Sequence, residues 1–134
     1  MAKFTSTGMT DVIDRLDRMA GASDNMKREM LESAANVYVD TWKRVIRAKG
    51  HVRSGDMANS VGTVFSDGNV GGATAEVYPQ GKDRKGVRNA EKAFLLHYGW
   101  GQKNGDHFVD QIEREAEEPA VEAMEAVMDR YVKE

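Results

Sequence analysis

SDNMKREMLESAANVYVDTWKRVIRAKG, residues 23–50, is the stretch whose reading decides the fold. It opens on Ser23, a residue type that caps helices, and closes on Gly50 with no proline or glycine between, so one helix running to about Ala48 is expected. At roughly 100° per residue, Met26, Met30, Leu31, Ala34, Ala35, Val37, Tyr38, Trp42, Val45 and Ile46 spread over about 200° of its circumference, twice the minimal stripe of a surface helix. Such a helix must be covered on two sides. About 25 residues at 1.5 Å each make a rod of roughly 38 Å, at least the diameter of a domain this small. A single copy is expected to leave part of it bare, with a partner subunit as the cover.

Upstream, Ile13, Leu16, Met19 and Ala20 share one face of a short amphipathic helix from about Thr10 to Ala20, ended by Gly21. Residues 1–22 are read as a short, mobile N-terminal helical segment of one domain, 1–134. Downstream, Ser54 to Ser60 reads as one or two helical turns. The period then changes to two: Val61, Thr63 and Phe65 share a face, as do Ala73, Ala75 and Val77, with Asp67, Gly68 and Asn69 as turn residues between. This is a β-hairpin, too small to stand alone, which needs the long helix beneath it or strands of a neighbouring copy beside it. The polar stretch QGKDRKGVRN, residues 80–89, is an expected exposed loop. A helix follows from about Ala90 to Tyr98, with Phe94, Leu95 and Tyr98 expected to face inward, then a glycine-spaced loop from Gly99 to Gly105. The remainder is helical, with Pro119 either kinking the helix or starting a new one. The order implies an α+β fold: a long N-terminal helix and C-terminal helices packed on a small antiparallel sheet.

The 134 residues carry 19 Lys and Arg against 22 Asp and Glu, 40% hydrophobic residues and no cysteine. A disulfide scaffold and every thiolate metal site are excluded. No apolar run approaches the roughly 20 residues that span a bilayer, and no membrane or secretory segment is expected. Charge is segregated: residues 1–42 sum to −2, residues 43–105 to +6 and residues 106–134 to −7. An acidic face on one copy can meet a basic face on the next, although solvated charged helices account for the same sums.

No catalytic constellation is legible. The three histidines, His51, His97 and His107, lack helical ligand spacing; a zinc site built from His97, His107 and Asp106 would span a glycine-rich loop without fixed geometry. Ser54 and Ser60 have no nucleophile-elbow context. Neither an enzyme nor a cofactor is expected. Lys82, Arg84, Lys85 and Arg88 form a basic loop suited to non-specific contact with DNA phosphates or with an acidic partner, but no aromatic residues are interleaved to stack on bases.

Two segments carry a resemblance. Arg53-Ser54-Gly55-Asp56-Met57-Ala58-Asn59-Ser60-Val61 follows the long helix, and Ala93-Phe94-Leu95-Leu96-His97-Tyr98-Gly99 leads through a short loop to His107-Phe108-Val109. In this order, separated by a hairpin, they resemble the small tail-completion or head-to-tail joining (neck) proteins of long-tailed bacteriophages, with residues 23–134 as the similar domain. His97 stands where that family commonly has an acidic residue, Trp100 where it has a small hydroxyl residue, and His107 where it has proline. The resemblance implies a non-enzymatic virion protein, assembled in the host cytoplasm, that forms a ring-like homo-oligomer with connector or tail proteins as further partners. Its implied interface residues are Trp42, Ile46, Arg53, Ser54, Gly55, Met57, Ser60, His97, Tyr98, Gly99, Trp100 and Phe108. A small nucleic-acid-binding module using residues 82–88 and a tail terminator protein are the alternatives.

Overall fold

The computed structural model of the chain describes residues 24–66 and 74–133. The helix expected over Thr10–Ala20, the cap at Ser23 and the turn at residues 67–69 lie outside the described residues. Helix α1 spans Asp24–Ala48 and the single turn α2 spans Asp56–Asn59. Strands β1 (Val61–Ser66) and β2 (Thr74–Pro79) pair antiparallel, with Thr63 opposite Val77. Helix α3 (Asn89–Tyr98) leads into a second small hairpin, β3 (Gly99–Trp100) with β4 (Lys103–Asn104), and α4 (Phe108–Lys133) closes the fold. The α+β architecture is the one expected.

Gly50 stops α1 for a specific reason. At φ +75° it donates to the Arg47 carbonyl, and His51 donates to the Ile46 carbonyl. This pair of bonds satisfies two terminal carbonyls and turns the chain away.

The expectation that α1 would need a second subunit is overturned. Of the ten apolar side chains of its expected face nine are buried within this one chain, and Val37 is half-buried against the core. The cover comes from α4, whose 26 residues match the 25 of α1 in length. Arg44 near the end of α1 meets Glu115 near the start of α4 at 3.4 Å, and Glu29 near the start of α1 meets Arg130 at 3.3 Å, so the two rods run antiparallel. The hairpin and α2 supply the second cover. Trp42, Ile46, Phe108, Ile112 and Met124 are among the most enclosed side chains, each contributing roughly 1.5–3 kcal/mol through burial.

Pro119 neither ends α4 nor begins another helix: the element runs through it, with Ala116 and Ala120 both buried on either side. The hairpin is anchored only at its base. Val61, Val77 and Pro79 are buried, whereas Val64 and Phe65 farther along are exposed.

Candidate assembly surface

Helix α3 is oriented opposite to expectation. Its buried residues are Asn89, Ala93 and His97. Phe94, Leu95 and Tyr98, read from the sequence as inward-facing, are 55%, 42% and 59% exposed, and Trp100 in β3 is 47% exposed. The physical reason lies in what α3 rests on. Asn89 gives its side-chain N–H to the Gln80 carbonyl at 2.9 Å, and His97 is tied to the start of α4, so two polar side chains with specific partners fix the inner face. The apolar side chains are left on the outside, where the Phe94 and Tyr98 rings lie tilted against each other at 4.7 Å between centroids.

Beside this arc lies a cleft of about 340 Å³, walled by Gly50, His51, Arg53, Ser54, Gly55 and Met57 on one side and by Lys92, Leu95, Leu96 and Trp100 on the other. The two sequence segments singled out above therefore meet in space. Gly55 makes this possible at φ +81°, a left-handed turn that also starts α2, and Met57 is buried beneath it. Ser54 accepts the Asp56 N–H through its hydroxyl, and Ser60 donates its hydroxyl to the Met57 carbonyl at 2.7 Å. Trp42, Ile46, Met57 and Phe108, expected at the interface itself, sit in the core below it: Phe108 takes Trp42 edge-on at 5.8 Å and His51 at 5.2 Å. Hydrophobicity alone could not separate a buried aromatic from an interfacial one.

His97 is a structural residue. Its Nδ1 accepts the Val109 N–H at 3.2 Å, satisfying one of the donors that the start of α4 leaves open. Burial of the ring pushes its pKa below the ordinary value, with the Asp110 carboxylate opposing that shift. Asp106 is turned away from it, bonding His51 Nε2 at 2.7 Å and accepting the Phe108 N–H at 3.1 Å. The trio with Asp106, set aside in reading the sequence, is not assembled; His97, His107 and Asp110 come together instead, with ligand atoms within 4.8 Å of one another. This trio does not fit a metal ion. Because Nδ1 of His97 is an acceptor, the neutral ring carries its proton on Nε2, the atom that faces Asp110, and offers no lone pair there.

The segment after α3 is shaped by close backbone approach. Gly99 donates to the Leu95 carbonyl, Asp106 to Leu96 and His107 to His97, so the returning strand satisfies the last carbonyls of α3. Gly99 has positive φ, but its ψ of 172° is extended rather than left-handed helical. His107 sits at φ +52°, a conformation closed to proline, so the family's proline at this position has no counterpart in this chain's geometry.

The basic loop is a folded unit. Asp83 accepts the Lys85 and Val87 N–H groups at 2.9 Å each and binds Lys92 Nζ at 2.9 Å, and these bonds, that to Lys92 foremost, hold its carboxyl below the usual range. Arg84 grips Asp56 through Nη2 at 2.8 Å and through Nε and its own backbone N–H at 3.0 Å each. That grip, led by the guanidinium, holds Asp56 well below the ordinary carboxylate range. Arg84 is thus spent within the chain and Arg88 lies 3.8 Å from Glu91, which leaves Lys82 and Lys85 as the outward cations. The Asp83–Gly86 turn lies within the stretch expected as an exposed loop; the Asp56–Arg84 bond, 28 residues apart, carried no sequence signal.

The chain is thus a small α+β protein with a closed core and an aromatic face left outside. The chain belongs to the HK97-gp10-like family of phage tail components: the family model described as "Bacteriophage HK97-gp10, putative tail-component" matches residues 10–99. The match takes in α1, the hairpin and α3 and stops before α4. No curated protein and no solved structure gives a significant match. No helix among the described residues is long and apolar enough to cross a membrane.

Proposed function

We propose that the protein is a structural component of the virion at the head-to-tail junction, a tail-completion or connector protein that acts by assembly and not by catalysis. Its partners are further copies of itself and neighbouring connector or tail proteins. One observation carries the reading: Phe94, Leu95, Tyr98 and Trp100 remain exposed beside a cleft in a chain whose long helix is already covered. Contiguous aromatic surface of this kind marks protein contact sites. Membership in a family of phage tail components supports the same reading.

The test is a phage carrying an early stop codon in this gene. Filled heads and finished tails are expected to accumulate unjoined, and wild-type protein added to the lysate is expected to join them, whereas Leu95→Asp with Trp100→Asp does not. Tails of irregular length would point to a terminator instead. Normal joined particles without the chain would refute the proposal. The nucleic-acid alternative is weakened by the internal bond of Arg84. It predicts steeply salt-dependent duplex binding that Lys85→Glu with Arg88→Glu abolishes.

A further inference from the structure

Around the cleft, apolar surface is combined with unbalanced positive charge. Two nearby carboxylates are taken up by cations, Asp56 by Arg84 and Asp83 by Lys92, and Asp106 bonds the His51 ring. Arg53 in the wall and Lys103, whose Nζ lies 5.3 Å from the centre of the Trp100 ring, have no carboxylate partner among the described residues. An acidic segment able to lie along apolar rings is the chemical complement of this face.

The chain itself carries such a segment. On α4, Glu118, Glu122, Glu125 and Asp129 recur at helical spacing and are exposed, with no cation bound to them among the described residues. Their stripe is roughly 16 Å long. Ala126, exposed in its middle, is small enough for an aromatic ring to rest against. The stripe begins ten residues, about 15 Å, beyond Phe108 on a helix held along α1, so it cannot fold back onto its own cleft. We propose that the cleft face receives the acidic stripe of α4 from a second copy. The contact joins two different surfaces, so it repeats head to tail and builds a ring or an open filament. Phosphate backbone is the poorer occupant, since Leu95, Leu96 and Met57 in the walls offer it nothing.

This deepens the assembly reading and rests on it for the premise that copies meet. The chain has no cysteine, so engineered ones are unique. Lys103→Cys protein mixed with Glu122→Cys protein is expected to give a cross-linked dimer with a short bis-maleimide, and Lys103→Cys mixed with Glu32→Cys is not. In sedimentation, Arg53→Glu with Lys103→Glu, and separately Glu122→Lys with Glu125→Lys, are expected to weaken self-association about tenfold or more. Mixing the two variants is expected to restore it, because each then offers the other a complementary face. Equal cross-linking in the control pair, association untouched by both reversals, or a wild-type chain that stays monomeric to millimolar concentration would overturn the proposal. So would loss of duplex binding on Arg53→Glu with Lys103→Glu while self-association persists. If the cross-link forms but virions lack the chain, the junction reading fails and this contact stands; the converse result fails this contact alone.

Discussion

Three glycines in the β3–β4 region separate two reasons for needing glycine, and replacing each by alanine gives a ranked prediction. Gly101 has φ +59° but open space where a Cβ would stand. Its cost is the left-handed conformation, about 1–2 kcal/mol, less several tenths recovered from the stiffer unfolded chain, or roughly 1 kcal/mol net. Gly105 has no positive φ, yet its Cβ would strike the His97 carbonyl and the carbonyl carbon of Tyr98. Those are backbone atoms, and the bonds from His107 to His97 at 3.1 Å and from Asp106 to Leu96 at 3.2 Å would move with them. Overpacking with weakened hydrogen bonds costs about 3 kcal/mol. Gly99 combines both demands: φ 91° with ψ 172° is a region that essentially only glycine occupies, and its Cβ would lie 2.6 Å from the Gly105 nitrogen. Its loss is roughly 4 kcal/mol. Urea melts should rank Gly99→Ala above Gly105→Ala above Gly101→Ala, with melting temperature falling by roughly 3–5 °C per kcal/mol for a chain of this size. Equal losses at Gly101 and Gly99 would refute the close-approach argument.

Three further outcomes follow from the same geometry. Because burial holds the His97 pKa below its ordinary value, the unfolded chain takes that proton first; stability should fall as pH drops through about 6.5 toward the folded pKa, at no more than about 1.4 kcal/mol per pH unit. Urea melts between pH 5 and 7.5 check this by comparison with His97→Gln, which should lose that part of the slope. Pro119→Ala restores a helical N–H at an exposed position inside α4 and should raise stability by about 1–3 kcal/mol, read by thermal melting; a loss would mean the helix depends on the proline. Arg84→Ala should move the Asp56 carboxyl up toward the ordinary range and speed amide exchange at position 84, both followed by NMR, whereas Lys85→Ala should do neither.

Much of the backbone could be read from periodicity and terminators. Gly50, Gly55 and the change from a 3.6-residue to a 2-residue period at Val61 each encode a local event, and α1, α2, β1, β2 and α3 begin within two residues of their expected places, whereas the β3–β4 hairpin falls where a glycine-spaced loop was expected. Partners distant in sequence were not legible. Asp56 with Arg84, His51 with Asp106 and His97 with the Val109 amide join positions 28, 55 and 12 residues apart, and no spacing rule connects them. The cleft depends on all three, because they hold α2, the loop and α3 around the end of α1.

The two misreadings have a common cause. An apolar arc on a helix says that something must cover it, but not whether the cover is the same chain. On α1 the arc is wide and the cover is internal, because α4 is equally long and lies antiparallel to it. On α3 the arc of Phe94, Leu95 and Tyr98 is narrow and looked like an ordinary core stripe. Asn89, held through its side-chain N–H, and His97, held through Nδ1, take the inner side of that helix instead. Specific hydrogen bonding thus outranks hydrophobic periodicity in orienting a short helix, since a buried polar group without its partner costs about 1–3 kcal/mol, whereas an aromatic ring on the surface keeps its burial free energy available for an interface. The apolar surface still unmet among the described residues therefore includes that of α3 and Trp100, in the part of the chain where the family resemblance implied a binding face.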